Sequence, residues 1–282
     1  MSTRFTMKPG AILATNTSSI PLEDLRQNLT RPQHFVGIHF FNPVSRMQLV
    51  EVVSHDQVAA DVLAEARAFL GRIDRLPAPV KSAPGFLVNR ALTPYLMEAF
   101  VMLEDGAKKE TIDRAAEDFG MPMGPIELAD VVGLDVAAHV GEIIARELGR
   151  PAPQLPRLAA LLAAKKLGRK SGEGFYVWQD GKAVKSAGGG PAPEDLEDRL
   201  ILVLVNECVA CLRERVVDDE DLADAAVIFG TGFAPFRGGP LSFARARGTG
   251  AVVARLGELA ARHGPRFTPD AGWALLAQPR KT

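Results

Sequence analysis

Short apolar runs alternate with helix-like stretches over the first 83 residues of the chain. Such runs, bounded by turn residues, indicate buried strands, and their alternation with helices predicts a parallel sheet covered by helices. Ser19 is placed to cap a helix that has Pro21 in its first turn, and Asp56 is placed to cap a second helix. The predicted strands are Ala11–Asn16, His34–Phe41, Gln48–Val53 and Arg75–Lys81.

After Pro84-Gly85 the apolar positions follow helical spacing. One stripe predicts a helix from about Phe86 to Asp105, and the segments Thr111–Phe119 and Gly124–Gly133 predict two more. Further along, glycine and proline are frequent in Asp180–Pro193, a composition typical of a linker. We therefore expect an α/β domain over residues 1–83, a helical domain over 84–180, a linker over 181–193 and a second helical domain over 194–282.

The second helical segment resembles the first. Three pairs of stretches align in order with only small insertions: Asn89–Phe100 with Asp198–Val209, Ile112–Gly120 with Leu222–Gly230, and Gly124–Asp130 with Gly239–Arg245. A conserved order of this kind predicts an internal duplication. Because Asp198 replaces Asn89 in the second copy, we expect that copy to have a structural role.

Composition excludes several classes of function. Hydrophobic residues make up 47% of the chain and the formal net charge is −1, so electrostatics gives no reason to expect binding to nucleic acid or to anionic membranes. The sequence shows no membrane-spanning run and no signal-peptide core, so we expect a cytoplasmic protein. Cys208 and Cys211 form a single CxxC without a second ligand pair, which favours buried thiols over a metal or redox site.

Four polar residues form a candidate site. His39 and Ser18 each lie near the carboxyl end of a predicted strand, where open α/β sheets bind ligands. Glu51 is the only charged residue in its apolar run, and a buried carboxylate requires a partner such as an imidazole. A histidine oriented by a carboxylate can remove a proton from an alcohol. Asn89 lies one turn before Leu92 on the apolar face of its helix.

Three of these residues also have an ordinary structural interpretation. His39 can be hydrogen-bonded at a strand terminus, and Glu51 can face solvent on an edge strand. Asn89 can cap a local group instead of contacting a ligand. From the pattern alone these alternatives remain open.

Six motifs closely resemble the NAD-dependent 3-hydroxyacyl-CoA dehydrogenases of fatty-acid β-oxidation. They follow the order and spacing of that family over essentially the whole chain: TNTSS, GIHFFNPV, LVEVV, PGFLVNR, GMPMGPIELADVVGLD and GRKSGEGFY. The resemblance implies a Rossmann-like NAD-binding domain and two tandem helical domains, as in the α subunit of the multifunctional fatty oxidation complex. It also implies an acyl-CoA substrate, and either a homodimer or association with other β-oxidation subunits.

The resemblance further implies roles for individual residues. His39, oriented by Glu51, would take the 3-hydroxyl proton of a (3S)-3-hydroxyacyl-CoA while hydride passes to NAD, which yields the 3-ketoacyl-CoA. Ser18 and Asn89 would hydrogen-bond the substrate oxygens near the reacting carbon. Ser18 and Asn42 would also contact the nicotinamide half of NAD, and Lys170 could reach the cofactor.

One departure from the family pattern concerns the cofactor site. The family's NAD-binding domain opens with a glycine-rich turn, but the sequence contains no GxGxxG. We therefore expect about the first hundred residues of that domain to be missing, NAD affinity to be poor and a sheet edge to be exposed. The chain would then be an inactive fragment. Two alternatives are a non-catalytic acyl-CoA-binding or dimerisation module, and a 3-hydroxyisobutyrate-type dehydrogenase, in which a lysine would take the role of His39.

Overall fold

The computed structural model describes residue 8, residues 10–186 and residues 193–279. The chain divides into two compact units, Met1–Phe86 and Leu87–Thr282. The strands are β1 (Leu13–Thr15), β2 (Phe35–Phe40), β3 (Leu49–Ser54), β4 (Leu76–Lys81), β5 (Val177–Gln179) and β6 (Lys182–Val184). The α-helices are α1 (Leu22–Arg26), α2 (Ala60–Arg72), α3 (Val88–Glu104), α4 (Lys109–Phe119), α5 (Pro125–Val132), α6 (Leu134–Glu147), α7 (Pro156–Ala163), α8 (Leu196–Arg213), α9 (Glu220–Thr231), α10 (Pro240–Arg247), α11 (Thr249–His263) and α12 (Trp273–Leu276).

The first unit contains a mixed four-stranded sheet in the order β1-β2-β3-β4. Strands β1 and β2 are parallel, as are β3 and β4, but β2 and β3 are antiparallel. The prediction of a parallel sheet is therefore confirmed for the β1–β2 and β3–β4 pairs and wrong for β2–β3. The physical reason is the short connection from Phe40 to Leu49, which contains no helix, whereas a parallel crossover usually requires one. Residues of β2, β3 and α2 form the core: Val36, Val50, Val52, Val62, Ala66 and Leu70.

Two predicted helix caps do not form in the first unit. Helix α1 has Pro21 at its N-cap position and α2 has Ala59, and neither start has a side-chain cap. Ser19 is buried before α1. Asp56 instead forms an ion pair with Arg26 at 2.8 Å. Both helices are instead stabilised by burial of apolar side chains, Leu22 in α1 and Leu70 in α2.

In the second unit, α3 packs against α8. The apolar stripe of α3 is buried as predicted, with Leu96 and Ala99 nearly or fully inaccessible to solvent. Cys208 and Cys211 of α8 are free and buried, which confirms their assignment to the core. Among the described residues, no helix is long and apolar enough to cross a membrane.

Two buried aspartates bind the starts of later helices in the same way. Asp113 accepts hydrogen bonds from the N–H groups of Ile126 and Glu127 at the start of α5. Asp224 accepts bonds from Leu241 and Ser242 at the start of α10. The predicted alignment paired Asp113 with Ala223, so it is wrong by one residue here, because periodicity alone does not reveal which acid caps the next helix.

Glycines make both of these contacts possible. A Cβ added at Gly124 would lie 2.2 Å from the side chain of Asp113, and one at Gly239 would lie 2.4 Å from that of Asp224. Each glycine precedes the proline that begins the capped helix. The Gly-Pro pairs therefore allow the aspartate to approach the free N–H groups of the first turn.

The predicted linker begins later than residue 181. Lys182–Val184 forms β6, which pairs with β5 in an antiparallel hairpin. Asp180 and Gly181 make the turn, both with positive φ, a two-residue geometry that suits hairpins. Residues 187–192 of the predicted linker lie outside the described residues.

Candidate active site

The antiparallel pairing of β2 with β3 brings His39 and Glu51 together. The two residues are direct partners in the register, so their side chains lie on the same face of the sheet. His39 Nδ1 is 2.8 Å from Glu51 Oε2, and the residues are 5% and 0% exposed. The alternative in which Glu51 faces solvent on an edge strand is wrong, because β3 lies between β2 and β4.

Aromatic rings surround the imidazole of His39. The ring centroid of Phe41 lies 4.5 Å away and that of Phe86 lies 5.8 Å away. With a carboxylate at Nδ1, that nitrogen carries the proton and Nε2 is the basic nitrogen. Glu51 can then stabilise the imidazolium that forms when Nε2 accepts a proton. The apolar rings lower the local dielectric constant and strengthen this interaction.

Ser18, His39 and Asn42 occur at one edge of the sheet. Strands β1 and β2 are parallel, so their carboxyl ends lie at the same edge. The side chain of Asn16 accepts a hydrogen bond of 2.9 Å from the backbone of Phe40, which ties the loop that carries Ser18 to the strand that carries His39. Ser18 is partly exposed and Asn42 is exposed. The backbone therefore places Ser18, His39 and Asn42 at the same edge of the sheet.

Asn89 lies in the first turn of α3, in the second unit. It is partly exposed, and its carbonyl accepts a hydrogen bond of 2.7 Å from Thr93 Oγ1. Asn89 lies three positions after Phe86 in the sequence, and the ring of Phe86 contacts that of His39.

Lys170 forms an ion pair with Asp135. Its Nζ lies 2.6 and 2.7 Å from the two carboxylate oxygens, and this hydrogen bond lowers the pKa of Asp135. Both side chains are more than 40% exposed. Lys170 is thus held on the surface of the second unit by a neighbour on α6.

The sequence interpretation missed Asp130, which organises the loop that carries Lys170. Its buried carboxylate accepts hydrogen bonds from the backbone of Phe175 and Tyr176, at 2.9 and 2.8 Å, and from Trp178 Nε1 at 3.1 Å. Burial raises the pKa of Asp130, and these hydrogen bonds oppose the shift. A signal existed, because Asp130 is an acid on the otherwise apolar face of α5.

Comparison with known proteins identifies the family. The NAD-binding domain of 3-hydroxyacyl-CoA dehydrogenase matches residues 3–83, and the C-terminal domain of the same enzyme matches residues 85–178. Together the two matches cover more than half of the chain. The chain belongs to the 3-hydroxyacyl-CoA dehydrogenase family. Members are NAD-dependent oxidoreductases, and the two domains account for the Rossmann-like sheet and the helical segment after it.

Solved structures of 3-hydroxyacyl-CoA dehydrogenases are similar to the chain. The 3-hydroxybutyryl-CoA dehydrogenase of Escherichia coli K12 is 25% identical, with a TM-score of 0.81 over 94% of this chain and 75% of that one. The (S)-3-hydroxybutyryl-CoA dehydrogenase of Ralstonia eutropha is 39% identical, with a TM-score of 0.57 over 60% and 61%. The dehydrogenase part of multifunctional enzyme 1 from C. elegans is 28% identical, with a TM-score of 0.65 over 94% and 64%.

These matches also bear on the predicted truncation. The chain spans less than two thirds of the Ralstonia and C. elegans relatives. The NAD-binding domain is nevertheless matched from residue 3 onward, so the expectation that its first half is missing is not confirmed.

Proposed function

We propose that the chain carries the acid–base site of an NAD-dependent (3S)-3-hydroxyacyl-CoA dehydrogenase of fatty-acid β-oxidation. The observation that supports this most strongly is the buried His39–Glu51 pair, with 2.8 Å between Nδ1 and Oε2. His39 Nε2 takes the proton of the substrate 3-hydroxyl, and Glu51 stabilises the resulting imidazolium. In the reverse direction His39 returns this proton to the 3-keto oxygen. General acid–base catalysis of this kind contributes about 10²- to 10⁴-fold in rate.

Ser18 and Asn89 hydrogen-bond the substrate oxygens in this proposal. Both offer neutral polar groups, and such groups can orient an alcohol or ketone without changing its charge. The partial exposure of both residues supports this role. Ser18 and Asn89 thus contribute to the rate by orienting the reacting carbon next to His39 Nε2.

NAD, when bound, supplies the hydride acceptor. The edge of the sheet with Ser18 and Asn42 fits its nicotinamide half, because hydroxyl and amide groups there can bind a carboxamide. Lys170 can bind a phosphate of the cofactor when its ammonium group leaves Asp135, its ion-pair partner, for the phosphate. The sequence has no GxGxxG turn to receive the pyrophosphate, so we expect this chain alone to bind NAD weakly.

We further propose that residues 194–282 are a degenerate second copy of the helical domain. The similar roles of Asp113 and Asp224, each bound to the N–H groups of a helix start that has a Gly-Pro pair, support this. Asp198, at the position that corresponds to Asn89, is bound by Arg247 and Arg255. An aspartate held by two arginines is unsuited to bind a neutral substrate oxygen, so the second copy has no active-site role. A tandem copy can also replace the partner chain of a homodimer.

The experiment that tests the proposal is acetoacetyl-CoA-dependent oxidation of NADH by the purified chain and by its Glu51→Gln variant. The amide keeps the shape of Glu51 but cannot stabilise an imidazolium, so we expect kcat to fall at least 10-fold, with direct binding of acetoacetyl-CoA little changed. A non-catalytic acyl-CoA-binding module would bind acetoacetyl-CoA but show no turnover in either protein. Equal kcat values would contradict the role of Glu51.

A further inference from the structure

Arg90 directly follows Asn89 in the first turn of α3 and is only 1% exposed. Its guanidinium contacts two carboxylates of the second helical segment. Nε donates to Glu207 of α8 at 2.6 Å, and Nη1 lies 2.6 Å from Glu214, which follows the last residue of α8. The turn that carries Asn89 is therefore attached to the C-terminal half of α8.

The two carboxylates are suited to hold this arginine. Glu207 is only 5% exposed and also accepts hydrogen bonds from Arg150 at 2.5 and 3.1 Å. Burial disfavours the ionised form of Glu214, but the hydrogen bonds and charges of Arg90 and Arg213 together lower the pKa of this carboxyl. A planar guanidinium bound through two nitrogens has a fixed orientation, which restricts the backbone next to it.

The same arrangement occurs a second time with the two helices exchanged. Arg199 of α8 lies 2.6 Å from Glu98 of α3 and 2.9 Å from Asp105. Arg199 follows Asp198, and Asp198 is independently held by two arginines. We call the first group the Arg90 clamp (Arg90, Glu207 and Glu214) and the second the Arg199 clamp (Arg199, Glu98 and Asp105). The two clamps have similar chemistry, but only the Arg90 clamp is next to a residue with a proposed contact to substrate.

We propose that Arg90, Glu207 and Glu214 position Asn89 for the substrate, so that the second helical segment contributes to the reaction through this clamp. The inference rests on the proposed function, in which Asn89 binds a substrate oxygen. The first turn of a helix has few internal hydrogen bonds and frays readily. The clamp fixes that turn, and its loss displaces the Asn89 amide while the His39–Glu51 pair stays intact. Arg90 thus acts as a positioning residue, through Asn89.

The test compares Arg90→Lys with the matched control Arg199→Lys. Lysine keeps the positive charge but cannot hold two carboxylates in a planar fork, so each variant loosens one clamp. Both should lower Tm by similar amounts. Only Arg90→Lys should reduce kcat/KM for acetoacetyl-CoA, by at least 10-fold, since small misplacements of an orienting group cost up to about 10²-fold. The shape of the pH–kcat profile should be unchanged, because neither substitution touches the acid–base pair.

A double-mutant cycle separates positioning from general destabilisation. If Arg90 acts through Asn89, Arg90→Lys should reduce kcat/KM no further in an Asn89→Ala background. If Arg90→Lys fails to fold, the comparison uses Glu214→Gln as the test variant and Asp105→Asn as its control. These carboxylates are 34% and 52% exposed, so they tolerate substitution better. Equal losses in the two matched variants, or additive losses in the cycle, would overturn the positioning role.

The outcomes also distinguish the clamp from the proposed function. If the wild-type chain binds acetoacetyl-CoA without turnover, the proposed function fails, but the Kd values of Arg90→Lys and Arg199→Lys still decide on the clamp. A 10-fold weaker Kd in Arg90→Lys alone supports it, and equal Kd values overturn it. If the wild-type chain neither binds nor turns over acetoacetyl-CoA, both proposals fail.

Discussion

Asp130→Ala should destabilise the second unit more than an ordinary surface substitution. The change removes the acceptor for three hydrogen bonds, from the backbone of Phe175 and Tyr176 and from the indole of Trp178. Tyr176 is fully buried, so its N–H loses its acceptor without access to water. Hydrogen bonds to a charged group contribute about 1.5–3 kcal/mol each.

The net loss is smaller than the sum of these bonds. Burial raises the pKa of Asp130, which means that the ionised carboxylate already carries a desolvation cost that alanine removes. We therefore expect the free energy of unfolding to fall by about 3–5 kcal/mol. Asp130→Asn keeps one acceptor but places an amide NH₂ among donors, so an intermediate loss is expected.

Urea unfolding at pH 7, followed by circular dichroism and by tryptophan fluorescence, measures this loss. Asp118→Ala is the control, because Asp118 is an exposed residue of α4 and its substitution should change the free energy by no more than about 0.5 kcal/mol. A loss below about 1 kcal/mol for Asp130→Ala would mean that the three donors find other acceptors or water, and that Asp130 does not stabilise the loop.

Two further predictions concern stability. Burial raises the pKa of Asp113 to about 7, although hydrogen bonds from Ile126, Tyr176 and Glu127 act in the opposite direction. The folded protein thus retains a proton that the unfolded chain loses near pH 4. The free energy of unfolding should therefore fall by up to about 1.4 kcal/mol per pH unit as the pH rises from 4 to 7. Urea unfolding across this range should show that slope, and Asp113→Asn should reduce it. Gly168→Ala should cost more than about 3 kcal/mol, because φ is +95° and the new Cβ would lie 2.2 Å from the carbonyl oxygen of Asp130. Gly149→Ala, with φ of +62° but open space, should cost only about 1 kcal/mol, and thermal unfolding that gave equal losses would contradict the steric argument.

The sequence predicted the strands of the first unit and the long helices of the second because their apolar periodicity is strong. It also linked Glu51 to His39, since a lone carboxylate in an apolar strand requires a partner. Whether neighbouring strands are parallel or antiparallel could not be predicted, because the two-residue period of a strand is the same in both directions. The antiparallel pairing of β2 with β3 therefore came from the structure alone.

Contacts between distant residues were also missed. The sequence placed Asp56 at a helix cap, but the carboxylate pairs with Arg26, and it gave no role to Asp130, whose partners lie 45–48 residues away. The Arg90–Glu207 pair spans 117 residues. Local propensity carries no information on such partners, so these ion pairs and loop contacts could not be derived from pattern.

His39 is the proposed general base of the 3-hydroxyacyl-CoA dehydrogenase site. The most direct measurement is the rate of acetoacetyl-CoA-dependent NADH oxidation by the wild-type chain, by His39→Gln and by His55→Gln. His55 is a matched control, because it is also a buried histidine of the first unit, hydrogen-bonded to the carbonyl of Phe35 at 3.0 Å. We expect His39→Gln to reduce kcat by about 10²- to 10⁴-fold and His55→Gln to affect mainly Tm. Turnover that survives His39→Gln, or that falls equally in both variants, would show that His39 is not the general base.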